Sequence, residues 1–359
     1  MTVRTPTVRT LLVPIALVIL AAGCTADRPP AGPDSPGQAQ TGTPPAPTPT
    51  SPPVLGGSAR RTVPVSSADG LRDALTAARP GDRIELAPGT YTGKFAITAA
   101  GTPTEPITLI GPRTAVIDGD GIRGGRALTL QADWWQLGGF TIRNGQKGLM
   151  AEHANHTVVD GLAVYDIGDE AIHFQKGSSD NLIRNCLIHD TGKRRPGFGE
   201  GIYLGSANSN WEGRQPDHSD RNRVIGNHIG PNIAAEHVDI KEGTTGGEIR
   251  GNTFDGRGQT GENSGESWVN AKGNGYLIAG NTGTAAYASG YKARTVYEGY
   301  GCGNTFQGNT GSVAPSVKPG YAFDISNQTT CATNPNRVCA DNTVTGAASG
   351  VSQIGLIRC

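Results

Sequence analysis

Five short stretches place acids and lysines at recurring positions: Glu170–Gln175, Glu200–Gly205, Glu236–Lys241, Ser267–Lys272 and Arg294–Gly299. Each contains an apolar residue flanked by polar ones, as a half-buried strand requires. Aligned on Ile172, Ile202, Val238, Val269 and Val296, they give three columns. The first is Glu170, Glu200, Glu236, Ser267 and Arg294; the second is His173, Tyr203, Asp239, Asn270 and Tyr297; the third is Gln175, Gly205, Lys241, Lys272 and Gly299. Carboxylates stacked beside lysines support two readings. They can move a proton beside a neutralised negative charge, or they can form a solvent-facing salt-bridge ladder in which each pair contributes about 0–1 kcal/mol. Three acids in one column also keep hydrolysis by paired carboxylates open.

Such columns need stacked strands to hold them. A phrase Gly-Asn-x-[Ile/Phe/Val] recurs at Gly226-Asn227, Gly251-Asn252, Gly280-Asn281 and Gly303-Asn304, with looser versions at Gly139-Phe140, Gly161-Leu162 and Asn185-Cys186. Successive starts are 22, 24, 41, 25, 29 and 23 residues apart. This period, in a chain with 53 glycines among 359 residues, predicts an all-β solenoid, a parallel β-helix. Equivalent positions of successive coils then lie about 4.8 Å apart. The repeated asparagines read as turn residues that satisfy buried backbone groups. The 41-residue interval holds an excursion with Arg194, Arg195, Trp211 and Arg214, which reads equally as a cleft wall that grips an anionic sugar and as a solvated loop. Ser66-Ser67-Ala68-Asp69 followed by Leu71, Ala74, Leu75 and Ala78 predicts a short capping helix over the open end of the solenoid, with the first coil starting at Asp82.

The N-terminus reads as an address. Arg4 and Arg9 precede an apolar run from Leu11 to Ala22, and Leu20-Ala21-Ala22-Gly23-Cys24 resembles a bacterial lipoprotein signal. Residues 1–23 are therefore expected to be a signal peptide, Cys24 a lipidated residue, and residues 24–61 a Pro/Thr/Ser-rich tether, leaving 62–359 as the β-helix domain outside the cytoplasmic membrane. Cys186 occupies an apolar slot, which leaves Cys302, Cys331, Cys339 and Cys359 as an even set for two disulfides of open connectivity at the C-terminal end, with zinc as the alternative. The 31 basic and 31 acidic residues balance, and no basic run is interleaved with aromatics, so nucleic acid is not an expected partner. A monomer is expected.

Ala77-Ala78-Arg79-Pro80-Gly81-Asp82, Leu86-Ala87-Pro88-Gly89-Thr90-Tyr91 and Thr102-Pro103-Thr104-Glu105-Pro106-Ile107 resemble the N-terminal coils of the alginate lyase and chondroitinase B family of polysaccharide lyases, which are right-handed parallel β-helices. Glu236-His237-Val238-Asp239-Ile240-Lys241 followed by Ile249-Arg250-Gly251-Asn252-Thr253-Phe254 resembles that family's site, where a calcium ligand precedes a catalytic lysine by five residues. The resemblance implies that Glu236 is a calcium ligand and Lys241 the base. Where the family has Arg-His one coil further on, this chain has Lys272-Gly273, and where it has a second acid this chain has Ala234. With this likeness, β-elimination on a uronic acid gives each column a use. Glu236, Glu200 and Asp239 would bind calcium, Lys241 would take the C5 proton with its pKa lowered by Lys272 or the metal, and Tyr203 would donate a proton. Lys272 and Arg294 would contact the substrate carboxylate, and His173, Tyr297 and Trp211 would bind sugar. The expected function is a surface-anchored lyase of an acidic polysaccharide. The alternatives are a non-catalytic carbohydrate-binding or adhesive protein, and a uronate epimerase or glycoside hydrolase on the same fold.

Overall fold

The computed structural model describes Leu55, residues 59–327 and residues 329–359. The signal peptide, Cys24 and most of the tether therefore lie outside the described residues. Among the described residues, thirty-one short strands form three parallel sheets of 12, 9 and 10 strands, and in each sheet a strand pairs with its counterpart from the next coil. This is a parallel β-helix. Its interior is made of stacked columns such as Leu128, Leu149, Ile172, Ile202, Val238, Val269, Tyr291 and Phe323, each in register with the next. All of these are buried. One apolar residue per strand per coil closes the core, which explains why three-residue strands suffice.

The turn phrase has a direct physical role. Gly161, Gly226, Gly251 and Gly280 take φ of +68°, +65°, +61° and +62°, the left-handed region that lets the chain turn sharply. The following asparagines form a ladder. Asn252 Oδ1 accepts from Asn227 N and Nδ2, both at 2.9 Å, while Asn252 Nδ2 donates to Val224 O and Asn281 Oδ1, also at 2.9 Å. Asn281 continues to Asn309 and then to Asn342. Asn304 belongs to a different turn, where it receives Tyr276 N and donates to Asn336. The sequence repeat thus merges two ladders that share a residue type. Cys186 stands where the first ladder has asparagine, its N–H donating to Asn227 Oδ1, and burial pushes its thiol up to about 12.

Helix α1 spans Ala68–Thr76, with Ser67 Oγ capping Gly70 N and Leu71, Ala74 and Leu75 buried against the end of the solenoid. One strand precedes it. Arg61–Val65 pairs with Asp82–Leu86, so the first coil begins before the helix and not at Asp82. At the other end Cys302 is bonded to Cys331 and Cys339 to Cys359, which resolves the connectivity and excludes the zinc alternative for these four.

Candidate active site

The nine-stranded sheet carries the acid and lysine columns on its outer face. Ile172, Ile202, Val238 and Val269 point inward in register as the alternation predicts, so His173, Tyr203, Asp239 and Asn270 stack outside. The fifth coil differs from the sequence alignment. Tyr291, not Val296, pairs with Val269, so Lys292 follows Asn270 in the outer column. Tyr291 fills the core and stacks on Phe323 at 5.0 Å, whereas Val296 is 44% exposed. Two residues move as a result. Arg294 leaves the acid column, where Ser289 stands instead, and joins Lys241 and Lys272, since Lys241 N, Lys272 N and Arg294 N donate to Leu204 O, Ile240 O and Ala271 O in succession. Tyr297 leaves the outer column altogether.

Glu200, Glu236 and Asp239 come together, each offering a carboxylate oxygen within 4.8 Å of the others, and all three are buried. Lys241 Nζ lies 2.8 Å from Asp239 Oδ2, and Lys272 Nζ lies 2.5 Å from Oδ1. Lys241 also sits over the Tyr203 ring, 4.7 Å from its centroid. Gly205 makes this possible: a Cβ there would come within 2.5 Å of Thr244 and 3.3 Å of the Lys241 side chain, at a φ of +81°. His173 packs edge-on against Tyr203 at 4.1 Å, with Nε2 2.8 Å from Gly205 O and Nδ1 3.3 Å from Glu170. Asn270, which sequence reasoning placed in the outer column without a role, donates from Nδ2 to Glu236 Oε1 at 2.8 Å. Its position one coil beyond Asp239 was the available signal.

Burial of like charges controls the electrostatics. Burial, and then Glu236, Glu170 and Asp239, push Glu200 well above the usual carboxylate range; burial and Asp239 likewise raise Glu236. Burial alone would also raise Asp239, but Lys241 and Lys272 outweigh it and hold it at about 2. The lysines diverge. Burial lowers Lys272, reinforced by Lys241 and Arg294, whereas for Lys241 the lowering by burial is overcome by Asp239. The expected depression of Lys241 is therefore reversed in the protein alone, because Asp239 lies between the two ammonium groups. Burial raises Tyr203 well above its ordinary value, which keeps its phenol protonated.

The remaining expected residues form the flanks. Trp211 is buried, its Nε1 donating to Ser206 O at 3.0 Å and its ring packed against Tyr297 at 4.7 Å and Tyr300 at 6.3 Å. Tyr297 is the exposed member of this group, at 45%. On the opposite flank Arg194 and Arg195 both pair with the buried Asp169. The donor set fits a hard cation: oxygen only, net anionic, with Glu200 Oε2 and Asn270 Oδ1 buried and, among the described residues, without a hydrogen-bond partner.

The fold and this cluster define a β-helix protein with an acid, lysine and tyrosine site on one sheet. Residues 56–220 match the family described as Pel9A-like, right handed beta helix region. An alginate lyase from Paenibacillus sp. str. FPU-7 is 37% identical, with 84% of this chain and 100% of that chain covered and a TM-score of 0.76. Pectate lyase Pel9A (16% identity, 83% of this chain and 79% of that one, TM-score 0.57) and a mannuronic acid specific polysaccharide family 6 lyase from human gut microbiota (12%, 83% and 78%, 0.52) share the fold. No curated protein matches the chain. The chain belongs to the family of right-handed parallel β-helix polysaccharide lyases that includes the Paenibacillus enzyme.

Proposed function

We propose that the protein is a lyase that cleaves an acidic, uronate-containing polysaccharide by β-elimination, with alginate as the first substrate to test. The observation that carries this reading is the meeting of Glu200, Glu236 and Asp239 with Lys241 and Tyr203 on one sheet face. Elimination breaks the C5–H and C4–O bonds of the sugar and leaves a C4=C5 double bond. Calcium bound at the three acids would neutralise the sugar carboxylate and make the C5 proton more acidic. Lys241 is the base: its side chain is 14% exposed against 3% for Lys272, so it is the amine that reaches substrate. It must act in its neutral form. Asp239 holds Lys241 protonated in the protein alone, so calcium drawing on Asp239 would release it to act as the neutral amine, while Lys272 and Arg294, adjacent in the column, attract the sugar carboxylate. Tyr203, held protonated, delivers a proton to the departing O4. His173 braces the Tyr203 ring, and Tyr297 offers an exposed aromatic face to a neighbouring sugar.

Lipidation of Cys24, attachment to the outer face of the cytoplasmic membrane and a monomeric state belong to the same proposal. The test is incubation of the purified protein with alginate, pectate, chondroitin, dermatan and glucuronan, with calcium or chelator, while following the absorbance of unsaturated uronates. A calcium-dependent rise that is lost in Lys241→Ala, with substrate still bound, is the expected result. Absence of unsaturated product from every polymer, with binding unaffected by Lys241→Ala, would favour a non-catalytic carbohydrate-binding protein.

A further inference from the structure

The flank opposite Trp211 carries a charged and aromatic pair that the reaction leaves unused. Phe198 ends a 3-10 turn, Pro196–Phe198, two residues before Glu200, and is 45% exposed. The Arg195 guanidinium lies over its ring, 4.2 Å from the centroid. Arg195 is held from one edge only, Nε donating to Asp169 Oδ1 at 3.1 Å and Nη2 to Oδ2 at 2.6 Å. Among the described residues its Nη1 has no hydrogen-bond partner, and its side chain is 43% exposed. Asp169 is fully buried and also takes Arg194 Nη1 at 3.2 Å and Gln146 Nε2 at 2.8 Å. One carboxylate thus answers two guanidinium groups, and Glu170 and Glu200 also act on Arg195 through their charge. The turn itself is braced: Asn263 Nδ2 donates to Gly197 O at 2.9 Å and Thr191 Oγ1 to Gly199 O at 2.6 Å. A planar fork with a free edge, lying on an aromatic ring and set in advance, suits a pyranose bearing a carboxylate.

We propose that Phe198 and Arg195 form a subsite for a uronate residue adjoining the one that reacts, Phe198 taking the C–H face of the ring and the Nη1 edge of Arg195 its carboxylate. This rests on the lyase reading of the neighbouring cluster. The full chain and its Arg195→Ala, Arg195→Lys, Phe198→Ala and Gln146→Ala variants are assayed for kcat and KM on alginate oligomers, and for binding of saturated oligomers with Lys241→Ala added to each. Arg195→Ala and Phe198→Ala are expected to raise KM about tenfold with kcat within about twofold, and to weaken binding by the same factor. Arg195→Lys recovers only part of the loss because a single ammonium cannot grip both Asp169 and substrate. Gln146→Ala, which also loses a hydrogen bond to Asp169, leaves KM unchanged. An unchanged KM in Arg195→Ala and Phe198→Ala overturns the subsite, as does an equal rise in Gln146→Ala, which would show the effect to run through Asp169. Arg195-dependent binding without cleavage of any uronan keeps the subsite and overturns the lyase reading; neither binding nor cleavage overturns both.

Discussion

Glu200→Gln should stabilise the metal-free protein and remove its response to calcium. Glu200 is 4% exposed, its Oε2 has no partner among the described residues, and Glu236, Glu170 and Asp239 surround it. Its folded pKa therefore lies well above the ordinary 4.5. Below pH 4.5 the folded and unfolded states both hold the proton and the acid costs nothing. As the pH rises past that value the unfolded chain releases the proton while the folded one keeps it, so stability falls by about 1.4 kcal/mol per pH unit until the folded pKa is reached. Between pH 4.5 and 7 the ceiling is about 3 kcal/mol. Glutamine has the same shape and no such penalty. Urea unfolding in chelator at pH 8 should show the variant more stable by about 1–3 kcal/mol, with the gap closing at pH 5. In calcium at a hundred times its Kd the wild type should gain about 2.7 kcal/mol and the variant much less, so the order narrows or inverts. A variant less stable than wild type at pH 8 in chelator, or a gap that does not change with pH, would refute the reasoning.

Three other outcomes test separate parts of the structure. Asn252→Ala strips partners from Asn227 N, Asn227 Nδ2 and Val224 O, all buried, and should cost about 3–6 kcal/mol, measured as a shift in the urea midpoint; a loss under about 1 kcal/mol would mean the ladder is dispensable. Gly205→Ala drives a methyl group into Thr244 and the Lys241 stem and should cut kcat by at least about tenfold, whereas Gly251→Ala, which meets no atom within 4 Å, should lower stability modestly through its positive φ and leave kcat unchanged. Calcium should bind more tightly at pH 8 than at pH 5, because Glu200 and Glu236 must shed the protons that burial and their neighbours favour; titration calorimetry in buffers of different ionisation enthalpy should detect proton release on binding, and affinity independent of pH would argue against these two acids as ligands.

The period of the turn phrase was legible because it reports a local requirement, a left-handed glycine followed by an amide that stacks. Alternation around Ile172, Ile202, Val238 and Val269 was legible for a similar reason, one inward aliphatic per strand. It failed at the fifth coil, where the inward residue is Tyr291 between Gly290 and Lys292, a pattern that reads as a loop until the room under Phe323 is seen. The meeting of Glu200, Glu236 and Asp239 followed from correct registration of two successive coils. The sign of the Lys241 shift did not, because it depends on which oxygen of Asp239 faces which ammonium. Trp211 looked like a free aromatic on a loop, yet the loop folds back and spends it on Tyr297 and Tyr300.

The site draws on four consecutive coils, from His173 through Tyr203 and Asp239 to Lys272, and this makes its integrity a matter of the order in which the solenoid can be unzipped. Each coil is held mainly by its two neighbours, so a pull on the C-terminus would peel coils singly from that end. Strands Phe323–Ile325 and Ser289–Ala293 would have to leave before the strand preceding Lys272 is exposed. The two cross-links lie along this route, Cys339–Cys359 tying the last residues back and Cys302–Cys331 bridging the next coil inward. They act as stops on the zip. The end of the solenoid at which a pull on the C-terminus would begin is thus the end that is stapled.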